Sequence, residues 1–198
     1  AQLTLSADDD SELRNWVVKG SAAQFPAAAK REGTEPPVGY QHYLNVMIRE
    51  RPADDEPQEA FNRWATKVLL AYSQFQLLCA LRGGRWGVEG LNKRIAEILY
   101  KEGLLKASVG WYPGRPVLVT RNDYSQRLMN GDIGIALWVL GPGAERVLRV
   151  AFPRNDGSGG VRFVMPSRLV EVETVFAMTV PKSQGSEFAH TALILPDA

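Results

Sequence analysis

Apolar residues in the first part of the chain recur at the three- and four-residue spacing of an α-helix. The clearest set is Phe61, Trp64, Val68, Leu69 and Tyr72. The same spacing predicts helices over Tyr40 to Ile48 and over Val88 to Lys101, because it places the apolar side chains on one buried face. A further helix is expected from Ser11 onward, since Asp8 to Ser11 supplies side chains that cap helix N-termini.

The pattern changes at Phe75, where a short apolar run begins. The run extends to Leu81 and is stopped by the glycine-rich stretch Arg82 to Gly87, which the helix at 88–101 follows. An apolar run of strand length, a glycine-rich turn and an amphipathic helix are typical of an α/β domain.

Between Trp111 and Leu169 the chain consists of short apolar or alternating runs separated by turn residues. The predicted strands are Pro116 to Thr120, Ile133 to Leu140, Arg146 to Phe152 and Val161 to Val164. Four or five strands without a helix predict a small barrel or meander, inserted between two α/β segments.

The last part of the chain returns to the α/β pattern. Thr174 to Val180 is apolar and β-branched and is expected to form a strand. Pro181 to Glu187 is a polar loop, and Thr191 to Leu195 is a second apolar run.

Composition adds few constraints. The 198 residues are 45% apolar, which is ordinary for a globular protein that buries its own core. The single cysteine, Cys79, excludes an internal disulfide, and its apolar neighbours favour a buried thiol over a reactive one. No run approaches the roughly 20 apolar residues of a membrane span, and no secretory leader pattern is present, so a cytoplasmic protein without membrane contact is expected.

Charge is unevenly distributed although the net charge is only +1. Residues 61–170 are basic in balance, whereas residues 1–60 and 171–198 are acidic. A basic middle region can contact phosphate groups, and solvated arginines would give the same balance.

The polar loop carries the most informative set of side chains. Lys182 to Glu187 presents a cation, two hydroxyls, an amide and a carboxylate after a predicted strand, where open α/β sheets bind ligands. Gly185 permits a close backbone approach or a positive φ, and Gln184 can both donate and accept hydrogen bonds. The alternative is a solvated connection without a ligand.

Other chemical motifs are absent from the sequence. The stretch Arg82 to Gly87 is not followed by Gly-Lys-Ser/Thr, so it is not a P-loop, and no Walker A sequence occurs elsewhere. His42 and His190 lack metal-ligand spacing, and no Ser/His/Asp or Cys/His set is evident. No metal site is predicted.

The stretch Thr179 to Phe188 resembles motif V of superfamily-one helicases in the form found in RecD-like subunits of exodeoxyribonuclease V. The family string is Thr-Val-His-Lys-Ser-Gln-Gly-Ser-Glu-Phe, and this sequence differs from it only at Pro181, where the family has His. Further blocks resemble the family in the same order, at Leu77 to Arg82, Gly87 to Asn92, Gly114 to Val117, Arg121 to Asp123, Asn130 to Leu137 and Pro166 to Leu169. Residues 73–196 are thus covered.

The resemblance implies an α/β fold, a partial RecA-like second helicase domain of the P-loop NTPase type, interrupted by a small SH3-like β-barrel. Residues 1–112 would form a helical segment and the first part of that domain, 113–170 the barrel, and 171–198 the continuation with motif V. The phosphate-binding domain would precede Ala1, and motif VI with its arginine finger would follow Ala198, so this piece alone is expected to be inactive.

The family roles transfer to matching positions. Gln184, Gly185 and Glu187, with Arg82 in a looser match, would face the nucleotide, whereas ATP and Mg²⁺ would be bound mainly by the preceding domain. The residues that would face single-stranded DNA are Thr179, Pro181, Lys182 and Ser183. Proline lacks the backbone N–H and a hydrogen-bonding side chain, so one DNA contact of the family would be lost at Pro181.

The parent protein is accordingly expected to be an ATP-dependent 5′-to-3′ DNA helicase, the alpha subunit of an exodeoxyribonuclease. It would act with RecB- and RecC-like partners in double-strand-break repair and recombination. Two alternatives are a non-catalytic module that binds DNA or a partner, and a free-standing RecD-type helicase or relaxase-helicase.

Overall fold

The computed structural model describes residues 10–21 and 37–195. Its helices are α1 (Ser11–Lys19), α2 (Tyr40–Arg49), α3 (Gln58–Tyr72) and α4 (Val88–Lys101). Its strands are β1 (Phe75–Cys79), β2 (Pro116–Val119), β3 (Ile133–Leu140), β4 (Arg146–Pro153), β5 (Val161–Val164), β6 (Val172–Thr174), β7 (Ala177–Thr179) and β8 (His190–Ile194). The α/β class predicted from the sequence is confirmed. The predicted capping residues Asp8 and Asp9 lie outside the described residues.

The helices form where the apolar spacing predicted them. On α3, Phe61, Trp64 and Val68 are buried, whereas Leu69 is only partly buried. α2 packs against α3 through a buried face that includes Tyr40 and Leu44. α2 and α3, together called the helical layer, cover one side of the sheets and share a continuous core with them.

Three strands form a parallel sheet in the order β7-β1-β8. Cys79 at the end of β1 is in register with Thr179 of β7 and with Ile194 of β8. The carboxyl ends of all three strands therefore lie at one edge of the sheet, which is the edge where ligands bind in open α/β folds.

The other five strands form an antiparallel sheet in the order β5-β4-β3-β2-β6. β3 alternates between two cores: Ile135, Leu137 and Val139 face the helical layer, and Ala136 faces a second cluster with Val150 and Phe152. This five-stranded sheet corresponds to the small barrel or meander expected between the α/β segments. It is not closed, because no pairing joins the outer strands β5 and β6 among the described residues, and closure requires that pairing. The sheet curls over its own small core instead.

The apolar run predicted as one strand at 174–180 is divided between the two sheets. Val172–Thr174 pairs with β2 of the antiparallel sheet, and Ala177–Thr179 pairs with β1 of the parallel sheet. The antiparallel sheet thus continues beyond residue 170, the predicted end of the insert. Apolar residues can be buried in either sheet, so the apolar pattern does not show where the chain passes from one sheet to the other.

The segment Val175–Ala177, here called the crossing segment, is buried, and side chains satisfy its backbone. Phe176 O accepts hydrogen bonds from the Tyr40 hydroxyl and from Gln76 Nε2, the latter at 2.9 Å. The Tyr72 hydroxyl donates to Val175 O. Burial raises the pKa of both tyrosines, which keeps their hydroxyls protonated as donors.

Asn92 of α4 completes these contacts at the outer edge of β7. Its Nδ2 donates to Ala177 O at 3.0 Å, and its Oδ1 accepts from Ala177 N at 2.8 Å. The amide therefore takes the place of a neighbouring strand for this residue.

None of the helices in residues 10–21 and 37–195 has the length and apolar character of a membrane span.

We predict that Asn92→Leu lowers the free energy of unfolding by about 2–4 kcal/mol, because it leaves two buried backbone groups of Ala177 without partners. Urea denaturation followed by circular dichroism measures the effect. Lys93→Ala, at the exposed next position of α4, is the matched control and should change stability by less than about 0.5 kcal/mol. Equal stability of the two variants would contradict the role given to Asn92.

Candidate functional site

Two loops meet at the carboxyl edge of the parallel sheet. The glycine-rich loop, Arg82 to Gly87, follows β1, and the motif loop, Val180 to Phe188, follows β7. β1 and β7 are adjacent and in register at their last residues. The structure therefore brings Arg82 to the same edge as the motif residues.

The motif loop begins with a 3₁₀ turn at Val180–Ser183. Ser183 Oγ donates to Val180 O at 2.7 Å, and Pro181 O accepts from Gln184 N at 3.4 Å. Proline fits the start of this turn because backbone N–H groups there have no partner within the turn. Pro181 is thus compatible with the local fold of the motif.

The next turn, Gln184 to Glu187, carries the residues predicted to face the nucleotide and is called the nucleotide-facing turn after that prediction. Gln184, Gly185 and Glu187 are exposed, and Gly185 has φ of 84° with open space where a Cβ would be. This left-handed conformation favours glycine. The three positions matched to nucleotide contacts are therefore together on one accessible turn.

The positions matched to DNA contacts differ from one another in exposure. Pro181 is exposed, Lys182 and Ser183 are partly buried, and Thr179 is buried with 7% of its surface exposed. The Lys182 ammonium donates to Asn130 Oδ1 at 3.1 Å, in the turn between β2 and β3. The structure does not present the four side chains as one open surface.

Arg82 is exposed on the glycine-rich loop and lies 3.8 Å from Glu173 Oε2 of β6. An exposed pair at this distance contributes little stability, so the guanidinium remains available to a ligand.

The glycine-rich loop folds back on the first turn of α4. Val88 N donates to Leu81 O at 3.1 Å, and Glu89 N donates to Arg82 O at 3.3 Å. These N–H groups are the ones a phosphate would use at a helix N-terminus. The carbonyls of Leu81 and Arg82 occupy them instead.

Arg94 of α4 anchors the glycine-rich loop, a role that the sequence pattern does not predict. Its guanidinium lies 4.3 Å from the centroid of the Trp86 ring and donates to Arg85 O at 3.3 Å. It also pairs with Asp10 at the start of α1. The signal in the sequence was a Trp in a glycine-rich turn with an Arg on the following helix, which sequence spacing alone does not place in contact.

The remaining candidate groups are structural or isolated. Cys79 is fully buried, and burial raises the pKa of its thiol, as expected for a core cysteine. In residues 10–21 and 37–195 no group of His, Cys, Asp or Glu could hold a metal ion. A cavity of about 410 Å³ lies in the antiparallel sheet, lined by Arg121 to Ser125 and Leu169 to Val172, and the motif loop does not line it.

We predict that Gly87→Ala destabilises the chain by about 1–3 kcal/mol, because a Cβ there would lie 2.2 Å from Gly83 O and force the loop away from α4. Gly83→Ala is the matched control in the same loop, since a Cβ at Gly83 meets nothing within 4 Å. Thermal denaturation compares the two variants, and a larger loss for Gly83→Ala would refute the packing described.

Comparison with known proteins identifies relatives of the chain. RecBCD enzyme subunit RecD of Haemophilus influenzae is 32% identical over 193 residues, covering 96% of this chain and 26% of that protein. RecBCD enzyme subunit RecD of Mycobacterium tuberculosis H37Rv is 39% identical over 140 residues, covering 70% and 23%. The ATP-dependent RecD2 DNA helicase of Deinococcus radiodurans is 29% identical over 125 residues, covering 62% and 16%.

No protein-family model matches the chain. Among solved structures, Pif1 helicase from Bacteroides in complex with ADP-AlF3 and ssDNA aligns with a TM-score of 0.34 and 15% identity, covering 81% of this chain and 43% of that one. The chain spans about a quarter of the length of the RecD subunits it matches. The resemblance seen in the motifs is confirmed: this chain is homologous to a segment of the RecD subunit.

Proposed function

We propose that the chain is part of an ATP-dependent DNA helicase subunit of the RecD type, supplying one wall of the ATP cleft and part of the single-stranded DNA track. The observation that carries this proposal is the position of the motif loop. Its nucleotide-matched residues are exposed on one turn, beside Arg82, at the carboxyl edge of the parallel sheet.

The exposed groups suit a nucleotide. Gln184 offers an amide that donates and accepts, Glu187 a carboxylate, and Arg82 a guanidinium. Gly185 leaves room for close approach. In our proposal these residues contact the ribose and the terminal phosphates of ATP. The phosphate cradle and the Mg²⁺ ligands come from another domain of the parent protein, as in nucleotide sites assembled from two sides.

The DNA track is proposed to pass the outer surface of the 3₁₀ turn, at Pro181 and Ser183. Thr179 lies beneath the turn, so its contact with the strand would require the loop to open. Binding to a single strand through a few backbone phosphates is expected to be weak and salt-sensitive. Because residues of the motif loop would contact both ATP and single-stranded DNA, this loop would couple the state of the nucleotide to the affinity for DNA.

The relatives support a proposal about the assembly. Two of them are subunits of a RecBCD enzyme, and we propose RecB- and RecC-like partners, 5′-to-3′ movement and a role in double-strand-break repair and recombination. Exonuclease activity is assigned to the assembly. A free-standing RecD-type helicase is the alternative, and the relative described as an ATP-dependent RecD2 DNA helicase supports the helicase part of it. A non-catalytic binding module is favoured by Pro181 and the buried Thr179.

In the full-length subunit, we predict that Gln184→Ala and Glu187→Gln each lower DNA-stimulated ATP hydrolysis at least about tenfold, because a contact made to the reacting nucleotide is lost. Glu145→Gln is the matched control, an exposed carboxylate in the turn between β3 and β4. A steady-state ATPase assay measures kcat and KM. Absence of DNA-stimulated hydrolysis in the unmodified subunit would reject the motor and leave the binding module.

Pro181→His is predicted to tighten binding of single-stranded DNA, since the imidazole restores a group that can contact a phosphate. The slope of log Kd against log salt should steepen by up to about one unit. Fluorescence anisotropy of a labelled oligonucleotide over a salt series measures both. An unchanged affinity and slope would show that position 181 does not lie on the DNA track.

A further inference from the structure

We propose that Lys182 is a positioning residue. It docks the motif loop on the turn between β2 and β3, so that the antiparallel sheet controls the conformation of the nucleotide-facing turn. The inference rests on the proposed function for its effect on ATP turnover. It assigns Lys182 to a contact within the chain rather than to DNA.

The first observation is the contact itself. Lys182 Nζ donates to Asn130 Oδ1 at 3.1 Å. No ion pair with a carboxylate is formed by this ammonium within residues 10–21 and 37–195. Its direct partner is thus a neutral side chain on the other sheet.

The acceptor, Asn130, lies in a turn that is held by hydrogen bonds in which Lys182 takes no part. Asn130 N donates to Asn122 Oδ1 at 2.8 Å. Gly131 N donates to Val119 O and Met129 N donates to Asp132 Oδ2, both at 2.8 Å. A turn fixed by three such bonds presents Asn130 as a preset docking point, which reduces the entropy lost when Lys182 binds.

The other end of the motif loop is also fixed to the antiparallel sheet. Phe188 packs in a small cluster that contains Leu118 of β2 and Ile133 of β3, together with Met178 of β7. The nucleotide-facing turn, Gln184 to Glu187, therefore lies between two anchors. One anchor is the turn between β2 and β3, and the other is a cluster to which β2 contributes Leu118.

The glycine-rich loop has a weaker contact with this sheet through Arg82 and Glu173 of β6. Both loops at the candidate site are therefore linked to one sheet. A shift of that sheet would change the positions of Gln184 and Glu187 without any contact between the sheet and the nucleotide. Such a link is a coupling free energy between two sites, and it can be measured from either side.

The test uses the full-length subunit with Lys182→Met, Asn130→Leu and the double variant. Each single change is expected to alter KM for ATP or kcat by about two- to fivefold, the lower part of the range for one hydrogen bond in a folded protein. The double variant should be no worse than either single one, because both remove the same contact. Single-stranded DNA affinity and its salt slope should stay unchanged. Lys93→Met, on the exposed face of α4, is the matched control.

A second measurement does not depend on ATP turnover. Hydrogen exchange at the amides of Gln184 to Glu187 should rise in Lys182→Met and in Asn130→Leu to the same extent, without addition in the double variant. The inference is overturned if Asn130→Leu has no effect on exchange while Lys182→Met weakens DNA binding and reduces its salt slope by about one unit. Additive effects would also overturn it. A subunit without ATPase activity would count against the proposed function, and the exchange result would still decide the role of Lys182.

Discussion

The crossing segment has to pass from one sheet to the other through the interior, and buried backbone groups need hydrogen-bond partners. Tyr40, Tyr72, Gln76 and Asn92 supply them, from two helices of the helical layer, from β1 and from α4. These side chains therefore fix how the helical layer, the parallel sheet and the antiparallel sheet meet. Val175 N also donates to Pro116 O of β2 at 3.0 Å, which ties the segment to the antiparallel sheet.

The site depends on this junction because only Met178 and Thr179 separate the crossing segment from the motif loop. Once Ala177 is held by Asn92 on one side and β7 is paired with β1 on the other, Thr179 reaches the carboxyl edge beside the glycine-rich loop. Phe188 then returns to the junction and packs against both sheets. The accessible turn between them carries Gln184, Gly185 and Glu187, so the packing of the junction determines where the polar groups are presented.

The local pattern of apolar and turn residues was sufficient to predict the bounds of a helix or strand wherever a segment belongs to one element. The helix at 88–101 and the strands at 133–140 and 161–164 have the predicted bounds, because their apolar spacing and flanking turn residues agree. The local pattern did not predict the crossing at 174–180, where one apolar run serves two sheets. It also left a barrel or a meander open for the insert, because closure depends on a long-range pairing that no local signal encodes. The contacts of Arg94 and Lys182 were missed for the same reason: each joins parts of the chain whose proximity is set by packing.

The sequence by itself determined the family resemblance, the α/β class, the order of the elements and the composition of the motif loop, since these depend on residue identity and short-range spacing. Tertiary structure alone decided that Thr179 is buried, that Lys182 reaches Asn130 and that Arg94 holds Trp86. The physical reason is that burial and hydrogen-bond partners are properties of surfaces brought together from distant segments. A residue type in the sequence does not show whether its side chain is exposed or hydrogen-bonded to a neighbouring turn.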